Sequence, residues 1–402
     1  MNQEIKERIE LINKGMVPAG YKKTPVGICP VEWEENIYRN LGEFAKGKGI
    51  PGYALLDNGL PCVGYGDIYT KYNIKFNAAK CFTDEITAKD SKKISKNTLL
   101  FTGSGETAEE IGKCVCYCGD EDISAGGDII LFNSYNVNPL FLSYQQNFWP
   151  FIKEKARLGQ GHSVVHIYPD DISKLHAIFP KTKPEQEKIA EILDCATRQV
   201  ELQEQLVDKL KVQKKALMQK LLTPQPGWQE VKLGDICEDI YQPQTVPQKE
   251  FKNNGYKVYG ANGFIGFYNK YNHKEWQVVL SCRGDCGTIN KTEPESWING
   301  NAMVLKIEEN EFIDKNYFYY QCLATSFKDV IDNSGIPQIT RTPLLKKNFR
   351  FIENMNVQKK LANIFINIDK QIELQQKLLE QYKLRQKALM QLLLTGIVRV
   401  CK

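Results

Sequence analysis

Residues 186–223 of this chain return as residues 358–395 at a constant offset of 172, while the stretches before and between the copies differ. Lys215-Ala216-Leu217-Met218-Gln219 recurs unchanged as Lys387-Ala388-Leu389-Met390-Gln391, and Glu201-Leu202-Gln203 as Glu373-Leu374-Gln375. Self-similarity on this scale means that one architectural unit occurs twice, and it governs the reading of every local motif. Two copies make a paired molecule, not a solenoid.

Periodicity identifies the repeated unit. Steps of three and four residues connect Ile189, Leu193, Ala196, Val200, Gln203, Val207, Leu210, Lys214, Leu217 and Leu221, an apolar seam sustained over several heptads. The second copy places Leu361, Phe365, Ile368, Ile372, Gln375, Leu379, Tyr382, Gln386, Leu389 and Leu393 at the same steps. Both seams are polar at the same two points, Gln203 with Gln375 and Lys214 with Gln386, as expected where polar side chains fix the register of helices packed on one another. Pro184 suits the first turn of a helix, where its missing N–H costs nothing, and Pro224 and Pro226 stop the first copy. Each helix should run roughly 55–60 Å at about 1.5 Å per residue. The competing readings are an amphipathic helix buried in a globular core and a helix that pairs with its copy on another chain.

At 402 residues with 42% hydrophobic and 10% aromatic content, the chain can bury two or three domain cores. No run is long enough to cross a bilayer, and the charged start lacks an apolar signal core, so the expectation is a cytoplasmic protein without membrane contact. A net charge of +5 permits nucleic acid as a partner without establishing it. The twelve cysteines do not form paired knuckles. Cys114, Cys116 and Cys118 alternate as on one face of a strand, and Cys282 and Cys286 flank a turn with no second pair, so reduced structural thiols are expected and no metal site. His162 and His166 stand four apart around valines, a strand setting that does not assemble a helical zinc site.

A short amphipathic helix is expected over residues 2–13, followed by a turn-rich lead-in through Pro30 and Trp33, and residues 223–228 form a similar one. Both lead to a matching phrase, Leu41-Gly42-Glu43 and Leu233-Gly234-Asp235. Short apolar runs at 98–101, 128–132, 277–280 and 302–307, punctuated by glycine, read as strands of compact sheet-rich domains.

This order of features resembles the specificity subunit of type I restriction-modification systems over nearly the whole chain: lead-in, variable domain, the approach Pro184-Glu185-Gln186-Glu187-Lys188-Ile189-Ala190, a long helix ending in Lys-Ala-Leu-Met-Gln, and then the plan again. The second approach, Asn356-Val357-Gln358-Lys359-Lys360-Leu361-Ala362, lacks the proline. The resemblance implies an α+β chain: two mixed, sheet-rich target-recognition domains separated by two long antiparallel coiled-coil helices, with a pseudo-two-fold internal repeat. The expected boundaries are 1–32 for the N-terminal helix and lead-in, 33–183 and 224–355 for the recognition domains, 184–223 for the first spacer helix, and 356–402 for the second helix and tail.

It also implies a non-catalytic subunit that reads a bipartite, asymmetric target in double-stranded DNA. Its expected partners are two methyltransferase subunits and restriction/translocase subunits, with S-adenosylmethionine, ATP and magnesium bound by those partners and no cofactor in this chain. Antiparallel rods of this length would span about 17 base pairs at roughly 3.4 Å each. Because the variable domains do not match each other, the half-sites should differ. The alternative function is a coiled-coil protein-interaction scaffold without DNA specificity.

Base reading needs donors and acceptors at a groove, and phosphate contacts need cations or N–H groups around it. The candidates are Lys46, Lys48, Tyr65, Lys71, Tyr72, Lys75, Ser104 and His166 in the first domain, and Gln242, Gln244, Asn253, Asn254, Tyr259, Asn262, Arg283, Gln338 and Arg341 in the second. Arg283, in a Cys-Arg-Gly-Asp turn, is the strongest candidate for a guanine or phosphate contact. Each of them competes with a plain solvated role.

Enzyme motifs fail on inspection. Residues 42–49 end in glycine where a P-loop needs a hydroxyl. Asn138-Pro139-Leu140-Phe141 has leucine where the adenine methyltransferase motif has a second proline, and Glu106, Glu109 and Glu110 read as a solvated helix face.

Overall fold

The duplicated segment forms a 40-residue helix each time, Lys183–Leu222 and Met355–Leu394. The computed structural model describes residues 3–161, 163–307 and 312–400. It divides into two units, Met1–Leu202 with Leu379–Lys402, and Gln203–Leu378, so each unit holds part of both helices.

In the first unit, Ile189 and Leu193 are buried with Leu393 and Leu394 in one apolar cluster that Leu389 and Met390 extend. Gln386 Nε2 donates to Thr197 Oγ1 at 2.8 Å, and Arg399 pairs with Glu185, so numbers fall along one helix as they rise along the other. The segments are antiparallel. The second unit has the same arrangement: Gln203 Nε2 donates to Gln375 Oε1 at 2.7 Å, Lys214 pairs with Asp369 at 2.6 Å, and Leu217 and Leu221 pack on the cluster holding Leu361 and Phe365. Shifting both members of the Thr197–Gln386 pair by 172 positions yields Asp369 and Lys214, so one polar lock occurs twice with different chemistry.

The helices end differently. Pro224 blocks continuation of the first, whereas the second stops at Gly396, whose φ of +68° suits glycine. A Cβ there would come within 2.6 Å of Pro30, so the stop also lets the C-terminal segment close on the lead-in. Tyr21 Oη donates to the Gly396 carbonyl at 2.8 Å, and the N-terminal helix Gln3–Asn13 is tied in through Arg8 to the Ile397 carbonyl at 3.3 Å.

The first unit is built on a mixed sheet and the second on an antiparallel one. In the first, the order is Gly42–Lys46, Ile129–Ser134, Leu99–Thr102, Cys114–Tyr117 and Lys75–Phe76, antiparallel except at the last pair. Period-two alternation sends Leu99, Phe101, Cys114, Cys116 and Ile130 into one core and Leu100, Val115, Tyr117, Ile129 and Leu131 into another. Both faces are therefore covered. A second sheet runs Cys81–Thr83, Leu60–Val63, Ile123–Ala125, Lys92–Ile94. In the second unit the order is Asp239–Tyr241, Ala302–Lys306, Val278–Ser281, Ile289–Lys291, with a smaller sheet of Gly263–Tyr268, Tyr256–Gly260 and Trp297–Ile298. The first four strands of the two main sheets follow one topology: first, last, second, third in chain order.

Each sheet-rich domain is closed by a two-stranded ladder where the chain enters and leaves, Glu34–Ile37 with His176–Phe179 and Gln229–Lys232 with Asn348–Phe351. A buried glutamine then fastens the domain to the helix. Gln186 accepts from the Asn138 N–H and donates to the Pro180 carbonyl, both at 2.8 Å. Gln358, 172 positions on, accepts from the Asp314 N–H at 2.8 Å and donates to the Ile352 carbonyl at 2.6 Å. Asn138 and Asp314 in turn cap the helices Pro139–Gln146 and Lys315–Ala324 through the N–H groups of Phe141 and Tyr317. The Asn-Pro-Leu-Phe segment is thus a helix cap. Glu106, Glu109 and Glu110 lie in bends and turns, not on a helix as the sequence suggested; Gly112, with φ +66°, ends that stretch.

Candidate nucleic-acid interface

One construction shared by the two units lies beyond the third strand, in spatial order, of each main sheet. After Leu99–Thr102 the chain turns so that Gly103 N–H donates to the Asp128 carbonyl at 2.7 Å, and the Gly103 carbonyl accepts from Ile167 N–H at 2.9 Å. After Val278–Ser281, Cys282 N–H donates to the Asn301 carbonyl at 3.1 Å and its carbonyl accepts from Ile339 N–H at 3.0 Å. In each unit a loop returning toward the long helix thereby crosses the strand end. The paired residues at the crossing are Ser104 with His166 in one unit and Arg283 with Gln338 in the other. Gln160–His166 and Asp332–Gln338 bridges close the two returning loops at corresponding points. Four of the sequence candidates thus occupy one structural position, counted twice.

The hydrogen bonds flank these pairs and do not join them, the narrow type of antiparallel pair, which brings facing side chains close on one side of the ladder. Their chemistry differs. Ser104 is buried and its hydroxyl meets His166 Nδ1 at 2.9 Å, leaving an exposed imidazole edge. Arg283 is exposed, Gln338 half-buried, and the Arg283 guanidinium has no hydrogen-bond or ion-pair partner among the described residues. His162 lies outside the described residues.

Other candidates are placed elsewhere, and several are corrected. Tyr72 is buried and stacked on Phe76 at 4.1 Å between centroids, with its hydroxyl accepting from Lys80 N–H; it is a core residue. Tyr259 is likewise buried, and its hydroxyl accepts from Glu293 N–H at 3.2 Å. The Lys75 ammonium pairs with Asp194 at 2.8 Å, anchoring the sheet edge to the long helix. Arg341 donates to the Ile240 carbonyl at 2.6 Å and to Asp239 at 3.0 Å, so its charge is engaged in clamping a strand. Lys71 is held by the Cys81 sulfur and by Asp67 at 2.9 Å, and these two hydrogen bonds, the one to Cys81 first, push its pKa up and keep the ammonium charged. Lys48 pairs with Asp90 at 2.5 Å. Gln242 reaches under the Arg283 turn to Cys282 Sγ at 3.0 Å and the Gly300 carbonyl at 3.1 Å, a supporting role.

Lys46, Tyr65, Gln244, Asn253, Asn254 and Asn262 are exposed. Asn262 lies in the Asn-Gly connection of the Tyr256–Gly260 and Gly263–Tyr268 hairpin, whose tip exposes Phe264 and Ile265. Those two apolar side chains, with Ile336 at 85% exposure between the crossing residues of the returning loop, were not singled out from sequence. The Asn-Gly pair between apolar runs is the signal that marks the hairpin.

The seam residues face inward. Ile189, Leu193, Val200, Val207, Leu361, Phe365, Ile372 and Leu379 are buried, while Leu210, Leu217, Tyr382 and Leu389 are half-buried. Leu202, Leu206, Val212, Leu374 and Leu384 stay exposed on the same helices. Among the described residues no group of three or more His, Cys, Asp or Glu side chains is placed to hold a metal ion, and no helix is long and apolar enough to cross a membrane.

Comparison with known proteins gives a consistent set. Residues 225–384 match the type I restriction modification DNA specificity domain. The type I restriction enzyme MjaVIII specificity subunit of Methanocaldococcus jannaschii is 25% identical, over 92% of this chain and 94% of its own. A second chain of that organism, assigned as the MjaX specificity subunit, is 24% identical over 94% and 97%. The fold is similar to the crystal structure of the type I S subunit from M. genitalium, with a TM-score of 0.65 at 17% identity, covering 92% of this chain and 97% of that one. A chain from a structure of type I R-M complex assembly and conformational transition has a TM-score of 0.53 at 15% identity, covering 92% and 99%.

Proposed function

We propose that the chain, similar over nearly its whole length to specificity subunits of type I restriction-modification systems, reads a bipartite, asymmetric sequence in duplex DNA and directs methyltransferase and restriction subunits to it. The observation that carries this reading is the repeated crossing: one backbone frame, used twice, places an exposed His166 over buried Ser104 in one unit and an exposed Arg283 beside Gln338 in the other. A frame held by backbone hydrogen bonds tolerates any side chain at the presented positions, which is what a recognition module needs in order to vary its target. Two unlike pairs imply two unlike half-sites.

The chain contributes recognition and assembly in the cytoplasm. Methyl transfer to adenine, with S-adenosylmethionine, and ATP- and magnesium-dependent translocation belong to its partner subunits. The exposed leucines and valine of the long helices supply apolar area for such partners.

The test is selection of bound sequences from a random duplex pool by the full chain with its methyltransferase partners, at several salt concentrations. A split motif should be enriched, and affinity should fall steeply with salt as counterions are released. A protein-only scaffold would enrich no sequence and show no such slope.

A further inference from the structure

The geometry points to Arg283 and Gln338 as a paired base reader that selects guanine, through Arg283, at one fixed position of the half-site bound by the second unit. This inference rests on the DNA-recognition reading and goes further by naming a base and the side chain that reads it.

Three features separate a base reader from a general phosphate cation. The first is rigidity. The Arg283 backbone is held on both sides: Cys282 by Asn301 and Ile339, the Arg283 carbonyl by Ser281 Oγ at 3.0 Å, and the turn beyond by the Gly287 N–H to Ser281 carbonyl bond at 2.9 Å. Cys286 Sγ also donates to the Pro337 carbonyl at 3.2 Å, fastening this turn to the returning loop that carries Gln338. A phosphate requires only a cation within reach, whereas the O6 and N7 edge of guanine requires an arginine fork at a set position.

The second feature is availability. Lys48, Lys71, Lys75 and Arg341 are engaged by carboxylates, while Arg283 is not; the neighbouring Asp285 instead accepts from Thr288 Oγ1 at 2.9 Å. The third is the facing residue. Gln338 supplies one donor pair and one acceptor beside the fork, the complement of an adjoining adenine or of a water bridging to a neighbouring base. At the corresponding crossing of the first unit, Ser104 and His166 bond to each other, so that half-site is read with different chemistry.

The experiment is the same duplex selection, run with the full chain and its partners for wild type, Arg283→Ala, Arg283→Lys and His166→Ala. Arg283→Ala should abolish the guanine preference at one position of one half-site, a fall in discrimination of about 10- to 100-fold, and leave the other half unchanged. Arg283→Lys keeps the charge but loses the fork, so it should keep the salt slope and still lose most of the base preference. His166→Ala should alter only the opposite half. Both substituted side chains, Arg283 and His166, are exposed, and thermal melting verifies folding. An intact motif with affinity lowered equally for all sequences would make Arg283 a phosphate contact and overturn the inference, as would an unchanged motif. Failure of wild type to enrich any split sequence would instead remove the recognition reading on which the inference rests.

Discussion

Gln358→Leu should detach the second recognition domain from its helix before the chain as a whole unfolds. The glutamine side chain is fully buried and makes three hydrogen bonds: from Asp314 N–H at 2.8 Å, to the Ile352 carbonyl at 2.6 Å and to the Phe312 carbonyl at 2.9 Å. Leucine fills much of the space but leaves the Asp314 N–H and Ile352 carbonyl without partners in a dry site, at about 1–3 kcal/mol each. Phe312 is largely exposed, so its carbonyl can turn to water. Burial of the leucine side chain recovers part of the loss, leaving a net cost of about 2–4 kcal/mol. Hydrogen exchange followed peptide by peptide reads this directly. Protection over residues 230–350 should fall by roughly 30- to 700-fold, while residues 40–175 keep theirs. Gln186→Leu, which strands the Asn138 N–H and the Pro180 carbonyl, should do the reverse. Equal loss in both units, or a change below about 0.5 kcal/mol, would refute the claim that each glutamine latches its own domain.

Other predictions follow from individual contacts. His273 is buried between Tyr241 Oη at 2.9 Å and Asn272 Oδ1 at 2.6 Å, and burial depresses its pKa from 6.5 to about 4. The unfolded chain therefore binds the proton first as pH falls, so stability is lost between about pH 6.5 and 4; denaturation at pH 7 and pH 5 should differ by about 1 kcal/mol more in wild type than in His273→Gln, after allowance for solvent screening. Lys75→Gln should cost the first unit about 1–2 kcal/mol by breaking the pair with Asp194, yet leave the salt dependence of DNA binding unchanged; a reduced slope would return Lys75 to the phosphate contacts. Replacing both Leu217 and Leu389 with glutamate should loosen the helical pairing and weaken assembly with methyltransferase subunits, read on a sizing column, before either recognition domain melts.

The helices were legible because an apolar seam of the right period and a repeat with one offset are properties of the sequence itself. Their polar partners were less so. Gln203 and Gln375 pair with each other as matching seam breaks suggest, but Lys214 and Gln386 are answered by Asp369 and Thr197, residues that lie off the apolar steps. Strand runs at 98–101, 128–132, 277–280 and 302–307 lie within a residue or two of strands in the structure. Their common topology was hidden, since Leu-Leu-Phe-Thr and Val-Val-Leu-Ser occupy the same place with no shared residue, and the crossing is fixed by backbone groups that every residue carries. Side-chain availability was also invisible: Tyr72 and Lys75 look like surface groups until Phe76 and Asp194 are brought beside them by the fold.

Exchange of residues 38–175, between the strands of the closing ladder Glu34–Ile37 with His176–Phe179, separates one proposed reader from the other. Selection of duplex sequences by the hybrid chain, beside wild type, should return a motif with one half replaced and the other identical. A hybrid that folds and binds DNA but changes both halves, or neither, would contradict that separation.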